Sequence, residues 1–100
     1  MSIISIFDLM SQVKIIECPR DAMQGIKSHF IPTVDKARYI NALLKVGFDT
    51  IDFGSFVSPK AIPQMRDTAE VLSMLDLKST TSKLLAIVAN VRGAADACHY

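Results

Sequence analysis

The sequence predicts an α/β fold of parallel (β/α) units, the first three of a TIM-type (β/α)8 barrel. Three observations carry this expectation. Short apolar runs open near Val13, Thr50 and Leu84, about 35 residues apart, which is the size of a βαβ repeat. The stretches between them space their apolar residues as helices do. The third run, Leu84 to Ala89, shows no alternation, as expected of a strand buried on both faces of a parallel sheet. A complete barrel takes about 250 residues, so a chain of 100 is read as a truncated piece. Residues 1–12 form a leader and 13–100 the amino-terminal part of the barrel. A small three-layer domain, complete at this length, is the alternative.

Composition excludes several classes. Half of the chain is apolar, 21% is charged and the net charge is +1. No run of Lys or Arg stands out, so neither nucleic acid nor a polybasic membrane surface is an expected partner. Cys18 and Cys98 fit no metal spacing and read as free thiols of a reduced cytoplasmic protein. No stretch approaches the ~20 apolar residues of a spanning helix.

In chain order, Met1 to Gln12 is apolar but interrupted by Asp8. It lacks the basic start and small-residue cleavage site of a secretory signal. It also lacks arginine, against a mitochondrial transit peptide. Val13 to Ile16 reads as a strand that stops at Pro19. A charged loop follows, with Arg20, Asp21 and Gln24. Polar residues just past the carboxyl end of a buried strand are where parallel α/β proteins present chemistry. Arg20 suits a developing oxyanion and Asp21 a hard metal ion. A surface ion pair of neighbours is the plainer reading.

Gly25 to Pro32 reads as a loop holding a solvated His29. Thr33 then fits a helix N-cap, with Asp35 in the first turn. Ala37, Ile40, Leu43, Leu44 and Val46 make the inner stripe, Lys36 and Lys45 are left for the outer face, and Gly47 caps the end. Thr50 to Phe53 is the second strand, and Gly54 to Lys60 the loop after it. A helix from Ile62 or Pro63 to Leu75 follows, with Met65 and Met74 as core filler and Arg66, Asp67 and Glu70 off its apolar stripe. Lys78 to Ser82 is a linker. After the third strand comes Asn90, and a last helix begins at about Ala94.

The segment Cys18-Pro19-Arg20-Asp21-Ala22-Met23-Gln24 resembles the Gly-Pro-Arg-Asp-Gly-Leu-Gln motif that opens the 3-hydroxy-3-methylglutaryl-CoA lyases. These belong to the metal-dependent lyase and Claisen-condensation barrels. Ser55-Phe56-Val57-Ser58-Pro59-Lys60, followed by Pro63-Gln64-Met65, is similar to the lyase pattern in particular. The resemblance implies a carbon–carbon lyase. Its parent activity is divalent-metal-dependent retro-aldol cleavage of 3-hydroxy-3-methylglutaryl-CoA to acetyl-CoA and acetoacetate, in leucine degradation. It implies Asp21 as a metal ligand, Arg20 as the catalytic group on the enolate oxygen, Gln24 and Ser55 around the acyl-CoA substrate, and Mg or Mn as the metal. Asp52 stands where the family usually has a glutamate. Cys18 and Ala22 replace the two glycines, with Cys18 read as a small buried apolar residue. The family's His-x-His pair, late asparagine and cysteine loop are absent from these 100 residues, so the chain alone is expected to be inactive. A homo-oligomer is left open.

Two other readings stand beside this one. One is a related condensing enzyme of the citramalate or isopropylmalate synthase type, which shares the Arg-Asp pair. The other is a non-catalytic, partner-binding α/β module. The barrel reading requires three parallel strands in sequential order, with Arg20, Asp21, Ser55 and Asn90 on one rim and both histidines away from it.

Overall fold

A computed structural model of the chain describes residues 13–100. The expected leader, 1–12, lies outside the described residues. The order is β1 (Ile16–Glu17), α1 (Pro19–Gln24), α2 (Thr33–Val46), β2 (Thr50–Ser55), a 3-10 turn (Pro63–Met65), α3 (Thr68–Ser73), β3 (Lys83–Ile87) and α4 (Val91–Ala97). The strands form one parallel sheet in the order β1-β2-β3, as the barrel reading requires. Ile16 pairs with Thr50, and Asp52 with Leu85. The register shifts between Asp52 and Gly54.

The core lies where α2 and α3 cover the sheet. Ile40, Leu44 and Ala37 of α2 meet Ile51 and Phe53 of β2, Met65 of the 3-10 turn and Val71 of α3. Ile40 and Ile51 are fully buried. Gly47 ends α2 in the left-handed conformation, φ 90°, which a Cβ would oppose.

Several expectations are corrected. The Arg20–Gln24 segment is a helix rather than a loop: Pro19 sits at its first turn, where a missing N–H costs nothing. Cys18 is exposed. Thr33 is the first residue of α2, whose N-cap is Pro32 with no side-chain cap. The Thr33 hydroxyl instead donates to Asp67 Oδ2 at 2.7 Å.

Lys36 is buried, not outward, because its ammonium meets Asp67 Oδ1 at 2.6 Å and also donates to the Gln64 carbonyl. The expected second long helix is a 3-10 turn followed by a short α-helix. Met65 is core filler, but Met74 is 46% exposed. β2 runs two residues further, through Gly54 and Ser55. Gly54 is required there, since a Cβ would stand 2.5 Å from Thr68 Cγ2. β3 is only half buried and lies at the sheet edge among the described residues. Helix α4 starts earlier than Ala94, at Val91, with Asn90 accepting from the Gly93 N–H at 2.8 Å.

Candidate active site

The site grows from β2. Ile51 and Phe53 enter the core, and strand alternation turns Asp52 to the opposite face. A carboxylate there has left water and needs a cationic partner. That partner is Arg20, on the first turn of α1. Arg20 Nε donates to Asp52 Oδ1 at 3.2 Å and Oδ2 at 3.1 Å, and Nη2 donates to Oδ2 at 2.7 Å. Nη1 donates to Gln24 Oε1 at 3.1 Å, one helical turn on. Asp52 is 3% exposed, and the Arg20 side chain is mostly covered. The hydrogen bond with Asp52 raises the Arg20 pKa above its ordinary value, assisted by the Asp52 and Asp21 charges and opposed by burial. Arg20 is therefore a fixed, permanent cation. These bonds leave one N–H on each of its terminal nitrogens unassigned.

Asp21 differs from Asp52. Its side chain is 77% exposed and approaches Arg20 Nη1 only at 3.9 Å. It is a free oxygen donor suited to a hard divalent cation. The described residues hold no cluster of three or more His, Cys, Asp or Glu that could complete such a site. Among the described residues Asp21 is thus a single exposed carboxylate beside a guanidinium.

Asp21 and Gln24 open onto a groove of about 700 Å³ between α1 with its following loop and the segment from Ala61 to Arg66. Ser55, at the carboxyl end of β2, is fully inside. Its N–H donates to Thr68 Oγ1 at 3.0 Å, and its Oγ accepts from the Val57 N–H at 3.1 Å. Ser55 lines a separate groove of about 220 Å³ with Phe56, His99 and Tyr100. The fold therefore gathers Arg20, Asp21 and Gln24 just past the carboxyl end of β1, and holds Ser55 at the carboxyl end of β2 in a different depression. The histidines do not stay apart as expected. His29 lines the groove of Asp21, and His99 that of Ser55.

Sequence reasoning left the role of Asp52 open. Its signal was present: an acid between Ile51 and Phe53 in a strand must be paired. Gln64 was seen only as part of a motif. It is 7% exposed and ties three backbone groups together, donating to the carbonyls of Ile26 and His29 and accepting from the Ile31 N–H.

Comparison with known proteins agrees with this architecture. No family model matches. The chain is 49% identical over 65 residues to the mitochondrial hydroxymethylglutaryl-CoA lyase of Mus musculus, covering 64% of this chain and 20% of that one. It is 43% identical over 67 residues to the 3-hydroxy-3-isohexenylglutaryl-CoA/hydroxymethylglutaryl-CoA lyase of Pseudomonas aeruginosa, covering 66% of this chain and 22% of the relative. The crystal structure of hydroxymethylglutaryl-CoA lyase from P. aeruginosa matches with a TM-score of 0.79 and 36% identity, over 87% of this chain and 29% of that one. An HMG-CoA lyase from Acinetobacter baumannii, in complex with coenzyme A and 3-methylmalate, matches at 0.78 and 38%, over 86% of this chain and 28% of that one. The chain spans about a fifth of the length of the curated relatives it matches. Over that partial stretch, the chain is homologous to the hydroxymethylglutaryl-CoA lyases and folds as the corresponding units of their barrel.

Proposed function

We propose that the chain supplies the Arg-Asp corner of a lyase that cleaves 3-hydroxy-3-methylglutaryl-CoA to acetyl-CoA and acetoacetate. The observation that carries the reading is Arg20, locked by Asp52 and Gln24 past the carboxyl end of β1, with the free carboxylate of Asp21 beside it. Retro-aldol cleavage leaves negative charge on the thioester oxygen of the departing enolate. A guanidinium that is already oriented stabilises that charge without reorganising as it forms. Asp52 holds the guanidinium plane through two of its nitrogens, and Gln24 holds the third. The remaining N–H groups are free to donate to the oxygen. Gln24 and Ser55 stand around the acyl group in this reading. Ser55 is assigned by its match to the lyase motif, since its hydroxyl serves the backbone in this structure.

Asp21 would be one ligand of a divalent cation, Mg or Mn. Such an ion, when bound, offers Lewis-acid stabilisation of substrate oxygens. The relatives include a lyase named as mitochondrial in Mus musculus and one named as cytoplasmic in Rattus norvegicus. A cytoplasmic location is part of the proposal. Among the described residues no helix is long and apolar enough to cross a membrane.

The test is a chimera in which residues 13–90 replace the matching segment of the P. aeruginosa lyase. It is expected to release acetoacetate from 3-hydroxy-3-methylglutaryl-CoA. Arg20→Gln should lower kcat by about 100–1,000-fold, the usual effect of removing an oxyanion donor. Asp21→Ala should weaken metal binding, read by titration with Mn²⁺. A folded chimera whose Arg20→Gln variant turns over normally would sink the assignment.

A further inference from the structure

We infer that Gln64 is a positioning residue: its side-chain amide fixes the loop 25–32 and, through it, the end of α1 where Gln24 braces Arg20. The loop joins α1 to α2. Among the described residues, no backbone–backbone hydrogen bond ties residues 27–31 to the rest of the chain. Backbone groups in a loop need partners as much as those in a helix do. Gln64 supplies three of them. Its Nε2 donates to the carbonyls of Ile26 at 2.8 Å and His29 at 3.0 Å, and its Oε1 accepts from the Ile31 N–H at 2.9 Å. Both N–H groups of the amide are thus spent on the loop.

The anchor is itself held. Gln64 lies in the 3-10 turn beside Met65, a core residue, and its carbonyl accepts from the buried Lys36 ammonium, which is paired with Asp67. Phe30 adds a second hold from within the loop: its ring takes the Lys36 ammonium at 4.0 Å and the Arg66 guanidinium at 3.6 Å. The tie reaches α1 by a short covalent path. The Ile26 N–H donates to the Met23 carbonyl at 3.0 Å, so Ile26 continues the last turn of α1, just past Gln24. Gln24 Oε1 in turn accepts from Arg20 Nη1, the hydrogen bond of that guanidinium that Asp52 does not take. Fixing Ile26 therefore steadies the brace on Arg20. The bearing of this brace on catalysis rests on the lyase reading.

The experiment has two arms. In the first, amide hydrogen exchange of the full chain is followed by NMR in the parent and in Gln64→Met, which keeps the volume of the side chain and loses its three bonds. The Ile31 and Ile26 amides should exchange about tenfold faster in the variant. Val71→Ala, a core replacement on α3 outside the loop, should leave both amides at the parental rate, because loop amides exchange by local opening and not by global unfolding. Circular dichroism checks that each variant is folded. Should Gln64→Met not fold, Gln64→Glu, which keeps the acceptor and loses both donors, is read in the same way at Ile26. In the second arm, the chimera is assayed with Gln64→Met, with Gln24→Met and with both. Gln64→Met should lower kcat by roughly tenfold, less than Arg20→Gln does, because Asp52 still holds two nitrogens. The combined variant should lose no more than Gln24→Met alone, since both act through one brace, whereas a general loss of packing would add to it. The proposal is overturned if Ile31 or Ile26 exchanges at the parental rate in folded Gln64→Met, or if the two losses in kcat multiply. A parent chimera that releases no acetoacetate refutes the lyase reading, and the exchange arm then decides the tie by itself.

Discussion

Asp52 and Arg20 show how much rests on one buried acid. Asp52 takes every bond that Arg20 does not give to Gln24. Asp52→Asn keeps the shape but removes the charge. It is expected to destabilise the fold by about 1.5–3 kcal/mol, the usual worth of hydrogen bonds to a charged group. Urea unfolding would read it, and a midpoint unchanged from the parent would refute the pairing. The pH dependence has a definite sign. The folded-state pKa of Arg20 is raised, so its stabilisation is fully present below its unfolded value. It is lost only as pH rises through the higher folded value, in the far alkaline range. Arg20 should therefore add no slope to stability across the neutral range. Much of this corner was legible beforehand. Arg20, Asp21 and Gln24 sit within five residues of one another, and a motif that local needs little folding to be read. That Asp52 needs a partner was legible from its place in the strand, but which partner it takes was not, because Arg20 is 32 residues away.

Among the elements, α2 carries the largest difference between expectation and structure. Lys36 looked like an outward residue because charge usually is. The fold instead places Asp67 and the Gln64 carbonyl against that position, and the side chain is 2% exposed. This pair clamps α2 to the 3-10 turn and α3. Removing one partner leaves a buried charge alone, so Lys36→Ala or Asp67→Ala should each cost about 3–5 kcal/mol. Lys36→Met with Asp67→Leu should cost clearly less than the sum of the single replacements, since no orphan charge remains. Additive losses in denaturant titrations would count against the clamp. The break of the expected second long helix has a related cause. Asp67 turns inward to Lys36, and Thr68 Oγ1 bonds the Met65 carbonyl and the Ser55 N–H. These contacts interrupt the helical ladder between Met65 and Thr68.

For the molecule as a whole, the sheet is open. The outer edge of β1 and that of β3 carry no partner strand among the described residues. Ile16, Leu85 and Val88 are exposed on or near them. Open parallel edges with apolar side chains invite association. A polypeptide of these 100 residues is expected to self-associate at micromolar concentration. Sedimentation velocity showing only monomer across that range would refute this. The same polypeptide should release no acetoacetate, because Asp21 by itself cannot hold a metal in fixed geometry. Enzyme-level release from the purified chain would refute that expectation.

What the sequence by itself determined was the parallel β/α order, the first long helix with its glycine end, and the Arg-Asp-Gln corner. Each depends on spacing within one short stretch: an apolar period, a breaker, a local motif. Only the tertiary structure decided which charged residues are buried, which partner Arg20 takes, and that Ser55 and Asp21 open onto different grooves. Those outcomes depend on atoms brought together from positions some thirty residues apart. A buried charge is stable only where such a partner arrives, and local pattern does not specify that arrival.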